Sequence, residues 1–96
     1  MFFLDLNATT SLIVQKIALK NKRYVVTIRH IDDLSDNERE KFCRQDDSFL
    51  VHITGDATPV IAEFFISNEL LWQCGDPAVP ADLVYAIGEI IDHHFL

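Results

Sequence analysis

A chain of 96 residues with 15 carboxylates against 8 lysines and arginines carries a formal charge of −7. That sign repels nucleic acid and anionic membrane and speeds encounter with basic proteins. A hydrophobic share of 49% with 24% charged residues excludes a disordered chain and sets one compact domain over residues 1–96.

Phe2 to Leu6 is short, apolar and closed by Asn7, which suits a first strand. Residues 11–19 read in two ways. Thr9, Thr10 and Ser11 are helix-capping types and Asn21 a helix-ending one, whereas Ile13, Val14 and Ile17 are β-branched. The apolar residues spread too far around a helical wheel for one amphipathic face, so the strand reading is preferred. Lys20-Asn21-Lys22-Arg23 is a polar turn. In the next segment Tyr24, Val26, Ile28 and His30 share one face and Val25, Thr27, Arg29 and Ile31 the other, the alternation of a strand. Ser35-Asp36-Asn37-Glu38 matches a capping box and opens a helix over 36–45. Asp36 and Glu38 sit at its positive end, Lys41 and Arg44 at its negative end, and Phe42 and Cys43 are its core anchors.

Ser48 to Thr54 reads as a further strand, ended by Gly55-Asp56. Two readings stand over 58–74. Thr58-Pro59 suits the start of a helix over 59–74 with Gly75 as its C′ residue. Alternatively, Val60–Ile66 and Leu70–Cys74 form a hairpin turning at Ser67-Asn68-Glu69, and this is slightly preferred. Asp76 to Pro80 is a rigid connector. Leu83, Ile87, Ile90 and Ile91, with Ala86, form the stripe of an amphipathic helix over 80–94. Gly88 in its middle costs about 1 kcal/mol relative to alanine and predicts close approach of a neighbouring element. The expected fold class is α+β: a mostly antiparallel sheet of four to six strands, with a charged middle helix and a C-terminal helix packed on it.

Chemistry-bearing motifs are scarce. Glu89 and His93 stand one helical turn apart beside Asp92 and His94, but adjacent histidines point about 100° apart and lack metal-ligand spacing. Protonatable groups such as these histidines complement a helix C-terminus instead. Cys43 or Cys74 with His30 or His52 would need tertiary assembly to make a nucleophile–base pair. Gly-rich phosphate loops, GxSxG and HExxH are all missing. Neither enzyme activity, cofactor nor metal is therefore expected. Lys20, Lys22, Arg23, Tyr24 and Arg29 form a basic patch, but the overall charge disfavours direct nucleic-acid binding. No apolar run approaches the roughly 18–20 residues that span a bilayer. The N-terminus lacks a basic signal-peptide region, and two cysteines without a CxxC pairing do not make a secreted disulfide scaffold. Cytoplasmic localisation is expected.

The distribution of charge is the strongest signal. Residues 1–44 hold all eight cations and six acids, while residues 45–96 hold nine carboxylates and no lysine or arginine. Asp32, Asp33, Asp36, Asp46 and Asp47 bracket the charged helix and are the first candidates for a partner-binding surface. Asp56 and Asp76 follow, and Trp72 is the candidate aromatic anchor. In size, acidity and lack of catalytic motifs the chain resembles small bacterial immunity proteins, including those of contact-dependent inhibition systems. That resemblance implies an inhibitor of a basic, nuclease-type toxin that occludes its cation-lined active site. The alternatives are a nucleic-acid mimic and a structural adaptor or assembly chaperone.

Overall fold

The computed structural model describes residues 12–56 and 58–95; the strand expected over Phe2 to Leu6 lies outside them. Five strands follow one another both along the chain and across the sheet. β1 (Ile13–Leu19), β2 (Lys22–His30), β3 (Phe49–Gly55), β4 (Val60–Ile66) and β5 (Trp72–Cys74) each run antiparallel to the next. One helix, α1 (Asp36–Phe42), interrupts the connection from β2 to β3, and α2 (Ala81–Phe95) follows β5. The fold is α+β, with five strands among the described residues where four to six were expected.

Pairing explains both ambiguous segments. In β1 the register sets Ile13 against Ile28 and Ile17 against Tyr24, so its apolar residues extend the core face of β2. Its two-residue turn places Lys20 (φ 50°) and Asn21 (φ 68°) in the left-handed region, the mirror-image turn whose twist matches a hairpin. Over 58–74 the chain forms the hairpin of β4 and β5. Val51 stands against Ala62 and Phe49 against Phe64, burying Ala62 and Phe64 while Ile61 stays exposed. That is an alternation of period two, and Pro59 stands before a strand rather than inside a helix.

One face of the sheet carries the core. Tyr24, Val26 and Ile28, then Phe49, Val51 and Ile53, then Ala62 and Phe64 are buried there beneath Leu83, Ile87 and Ile91 of α2. α2 can lie this close because of Gly88. A Cβ on that residue would fall 2.3 Å from Cδ1 of Trp72, so the expected close approach is an indole seated against bare helix backbone. At the other end of the sheet Gly55 adopts φ 111°. A Cβ there would meet the Arg23 carbonyl at 2.4 Å.

The opposite face is covered only in part. Leu34, Leu50 and Glu63 are buried there, while α1 itself has no buried residue and keeps Phe42 and Cys43 half-buried. The capping box forms as expected: Glu38 N–H donates to Ser35 Oγ (3.2 Å) and Ser35 N–H donates to Glu38 Oε1 (3.1 Å). The helix ends earlier than the expected 45. The Glu63 carboxylate accepts from the N–H groups of Arg44 (2.9 and 3.0 Å) and Gln45 (2.9 Å). Those two residues are thereby drawn onto β4 instead of continuing the helix.

Candidate partner-binding surface

Because strands lie in the sheet in sequence order, segregation of charge along the chain becomes segregation in space. β4, β5 and α2 carry no lysine or arginine.

Two of the acids bracketing α1, Asp32 and Asp47, meet at one imidazole at the β2–β3 end of the sheet. His30 Nε2 lies 3.2 Å from Asp47 Oδ1, and His30 Nδ1 lies 3.4 Å from Asp32 Oδ2 and accepts from the Asp32 N–H (3.2 Å). Asp32 and Asp33 belong to a single 3-10 turn, Ile31–Asp33, and Asp36 begins α1. Ile31 N–H donates to the Ser48 carbonyl (3.0 Å). That bond, with the contacts of Asp32 and Asp47 to His30, draws the 46–47 stretch next to the 32–33 turn. All five of these aspartates are exposed.

Two of the nearby arginines have partners of their own. Arg29 makes a bridge of 2.7 Å to Glu38, and Arg39 Nε donates to the Ile31 carbonyl (3.1 Å). The Arg29 guanidinium, helped by the Ser35 N–H, holds the Glu38 carboxyl below the usual carboxylate range. A group lowered in the folded state stabilises fully above its unfolded pKa and loses that contribution as pH falls through the folded value. The first turn of α1 is therefore expected to keep its cap below the pH at which an ordinary glutamate protonates. Side-chain carboxyl shifts followed by NMR titration check this, and an ordinary Glu38 midpoint contradicts it.

The remaining candidates are placed elsewhere. Asp56 Oδ2 accepts from the Arg23 N–H (2.8 Å), and Asp56 N–H donates to the Arg23 carbonyl (2.8 Å). It thus ties the start of β2 at the far end from His30, roughly 25 Å away at ~3.3 Å per strand residue. Asp76 is half-buried and accepts from the Ala78 N–H (2.8 Å) to shape the connector. Trp72 is turned under α2: besides meeting Gly88, its Nε1 donates to Asp92 Oδ1 (3.2 Å).

Trp72 also opens a row of rings leading to the acidic rim. Its centroid is 5.9 Å from that of Phe49, which lies 5.0 Å from His30 and 4.8 Å from Phe95. Beyond Trp72 lies a groove of about 860 Å³ between β5 and α2, with Asp76, Glu89 and Asp92 in its lining. Leu70, Leu71 and Tyr85 open onto it, exposed to 83%, 57% and 67%. Sequence reasoning missed this groove. The Leu70-Leu71-Trp72 run signalled it, but Tyr85 joins it only once α2 is docked.

Burial pushes the thiols of Cys43 and Cys74 up from the ordinary cysteine value, in Cys43 despite the Ser48 hydroxyl beside it. Both are accordingly thiols rather than thiolates at neutral pH. Among the described residues, no three His, Cys, Asp or Glu side chains converge as metal ligands. In the basic patch Tyr24 is buried, Lys20 bridges Asp82 at 3.2 Å and Arg29 bridges Glu38. No helix among the described residues is long and apolar enough to cross a membrane. The chain matches no protein-family model, and comparison with curated proteins and with solved structures finds no similar one.

Proposed function

We propose that the protein is a stoichiometric inhibitor that binds a basic partner in the cytoplasm, a nuclease-type toxin domain whose cation-lined cleft it occludes. One observation carries the reading: Asp32 and Asp47, from the two sides of α1, converge on His30 and are exposed, as are Asp33, Asp36 and Asp46, while the nearby Arg29 is paired with Glu38. Such an acidic rim presents carboxylates to cations that evolved to hold phosphates. Elevated thiol pKa values add no support for nucleophilic chemistry.

The test begins with the toxin domain encoded by the adjacent gene, co-expressed with this chain. Rescue of growth supports the proposal; an adjacent gene with no basic toxin domain, or no rescue, sinks it. With the purified pair, stopped-flow association should slow at least tenfold between low and physiological salt, while dissociation changes much less. A flat association rate leaves the acidity as a solubility feature.

Reversal of charge at the rim gives a second readout. Asp46→Lys with Asp47→Lys should weaken binding by well over tenfold. The thermal midpoint should barely move, because both residues are exposed and the lost Asp47–His30 contact is the kind of exposed pair worth under about 1 kcal/mol. Parent-like affinity in the double variant removes the rim from the interface.

A further inference from the structure

We propose that an extended, basic segment of a partner protein adds as a further strand along the open edge of β5, with its side chains entering the groove against α2. This rests on the inhibitor reading only in taking the same basic protein as its source.

The backbone provides the edge. Ser67 N–H donates to the Leu71 carbonyl (2.9 Å) and Gly75 N–H donates to the Glu63 carbonyl (2.8 Å), with Gln73 paired to Phe65 between them. Residues 71, 73 and 75 therefore bond towards β4. The period-two alternation of an antiparallel strand turns the N–H and C=O of Trp72 and Cys74 the other way, to the side where, among the described residues, the sheet ends. Sheet edges are commonly blocked by lysine or proline, and β5 (Trp-Gln-Cys) has neither.

Strain at the entrance points the same way. Leu70 adopts φ 62°, a conformation costing a residue with a Cβ about 1 kcal/mol or more. Bonds from Leu70 N–H to the Ser67 carbonyl (2.9 Å), and from Glu69 and Leu71 N–H to Ser67 Oγ (3.3 and 3.4 Å), hold it there. Burial returns none of that cost, since the side chain is 83% exposed. It would be recovered when a partner covers Leu70, Leu71 and Tyr85 together.

Charge selects the occupant. Asp76, Glu89 and Asp92 line the groove, and among the described residues no lysine or arginine does. Successive side chains of an added strand point to opposite faces of the sheet, so a strand alternating apolar and cationic residues can turn its cationic set towards α2, with the ammonium groups at these carboxylates and the aliphatic stems beside Tyr85. A second copy of this chain brings net charge −7 to the same place, so self-association is disfavoured at low salt.

The probe is the peptide Lys-Val-Lys-Val-Lys-Val-Lys, titrated into the labelled full chain and followed by amide NMR. Saturable one-to-one binding is expected, with the largest shifts at Trp72, Cys74, Tyr85 and Glu89. The same peptide N-methylated at alternate residues keeps its charge but cannot pair, and should bind at least tenfold weaker. Glu89→Lys and Tyr85→Ala, both at exposed positions, should each weaken the parent peptide about tenfold with the fold unchanged by circular dichroism. Equal binding of the N-methylated peptide, shifts confined to the Asp32–Asp47 rim, or concentration-dependent self-association through this edge in sedimentation overturns the strand-addition site. Failure of the peptide with toxin rescue intact removes the groove and leaves the inhibitor reading standing. Peptide binding without rescue does the reverse.

Discussion

Replacing Gly88 by alanine should lower the unfolding free energy by about 2–3 kcal/mol, although the same change in an exposed helix would raise it by about 1 kcal/mol. The added methyl would fall 2.3 Å from Cδ1 and 2.5 Å from Cγ of Trp72. Those are ring atoms of a side chain held by Phe49 on one side and by the bond to Asp92 on the other, so the indole cannot swing aside without losing both. α2 must lift instead, loosening Leu83, Ile87 and Ile91 from the sheet. A second change makes the cause visible. In a Trp72→Val background the ring is gone, and Gly88→Ala should become neutral or mildly stabilising. Chemical denaturation of the four proteins in the cycle measures the coupling. Additive losses would mean that the contact between Trp72 and Gly88 does not limit the approach of α2.

Glu63→Ala should cost about 3 kcal/mol and loosen the segment that carries Asp46 and Asp47. The carboxylate is buried and takes the N–H groups of Arg44 and Gln45. Hydrogen bonds to a charged group contribute about 1.5–3 kcal/mol, and a donor left unpaired adds to the loss. Glu63→Gln tests charge against shape. The amide keeps one oxygen but turns its NH2 towards the donors, so it should recover less than half of the loss. Partner affinity should fall along with stability, unlike the rim reversals, because the whole 43–48 stretch moves. An unchanged unfolding midpoint in Glu63→Ala would show that the loop is held by other contacts.

Legibility in the sequence followed how local each signal was. The capping box at Ser35–Glu38 needs only four residues, and it formed as read. The stripe of α2 and the alternation of Tyr24, Val26 and Ile28 were equally plain, since each element presents one apolar face. β4 resisted for a physical reason. Every residue from Val60 to Ile66 except Glu63 is apolar, although Ile61 and Ile66 stay exposed, and a strand with apolar residues on both faces shows no period in its sequence. The role of Glu63 was hidden for the same reason. Its partners are backbone groups near the end of α1, and no side-chain pattern announces them. Gly88 was readable as a cost requiring a cause, although the tryptophan supplying it was not. At the surface, the acids of 32–47 stood out because they bracket the capped helix, while Tyr85 and Glu89 join Leu70 around one groove only through the tertiary packing of α2.

A meander whose described strands, β1 to β5, pair with their sequence neighbours has consequences for how the molecule opens. Such local pairing keeps contact order low and favours rapid folding from hairpins. The stretch 31–48 is the exception, joining adjacent strands through a long excursion that carries α1, with no buried residue in that helix. Its attachment rests on Leu34, the Arg29 bridge and the two backbone bonds to Glu63. Segments with few buried contacts open independently of the global transition. Amide hydrogens of α1 should therefore exchange with solvent through local opening, orders of magnitude faster than those of β2 and β3, so the acidic rim reorganises while the sheet beneath it stays folded.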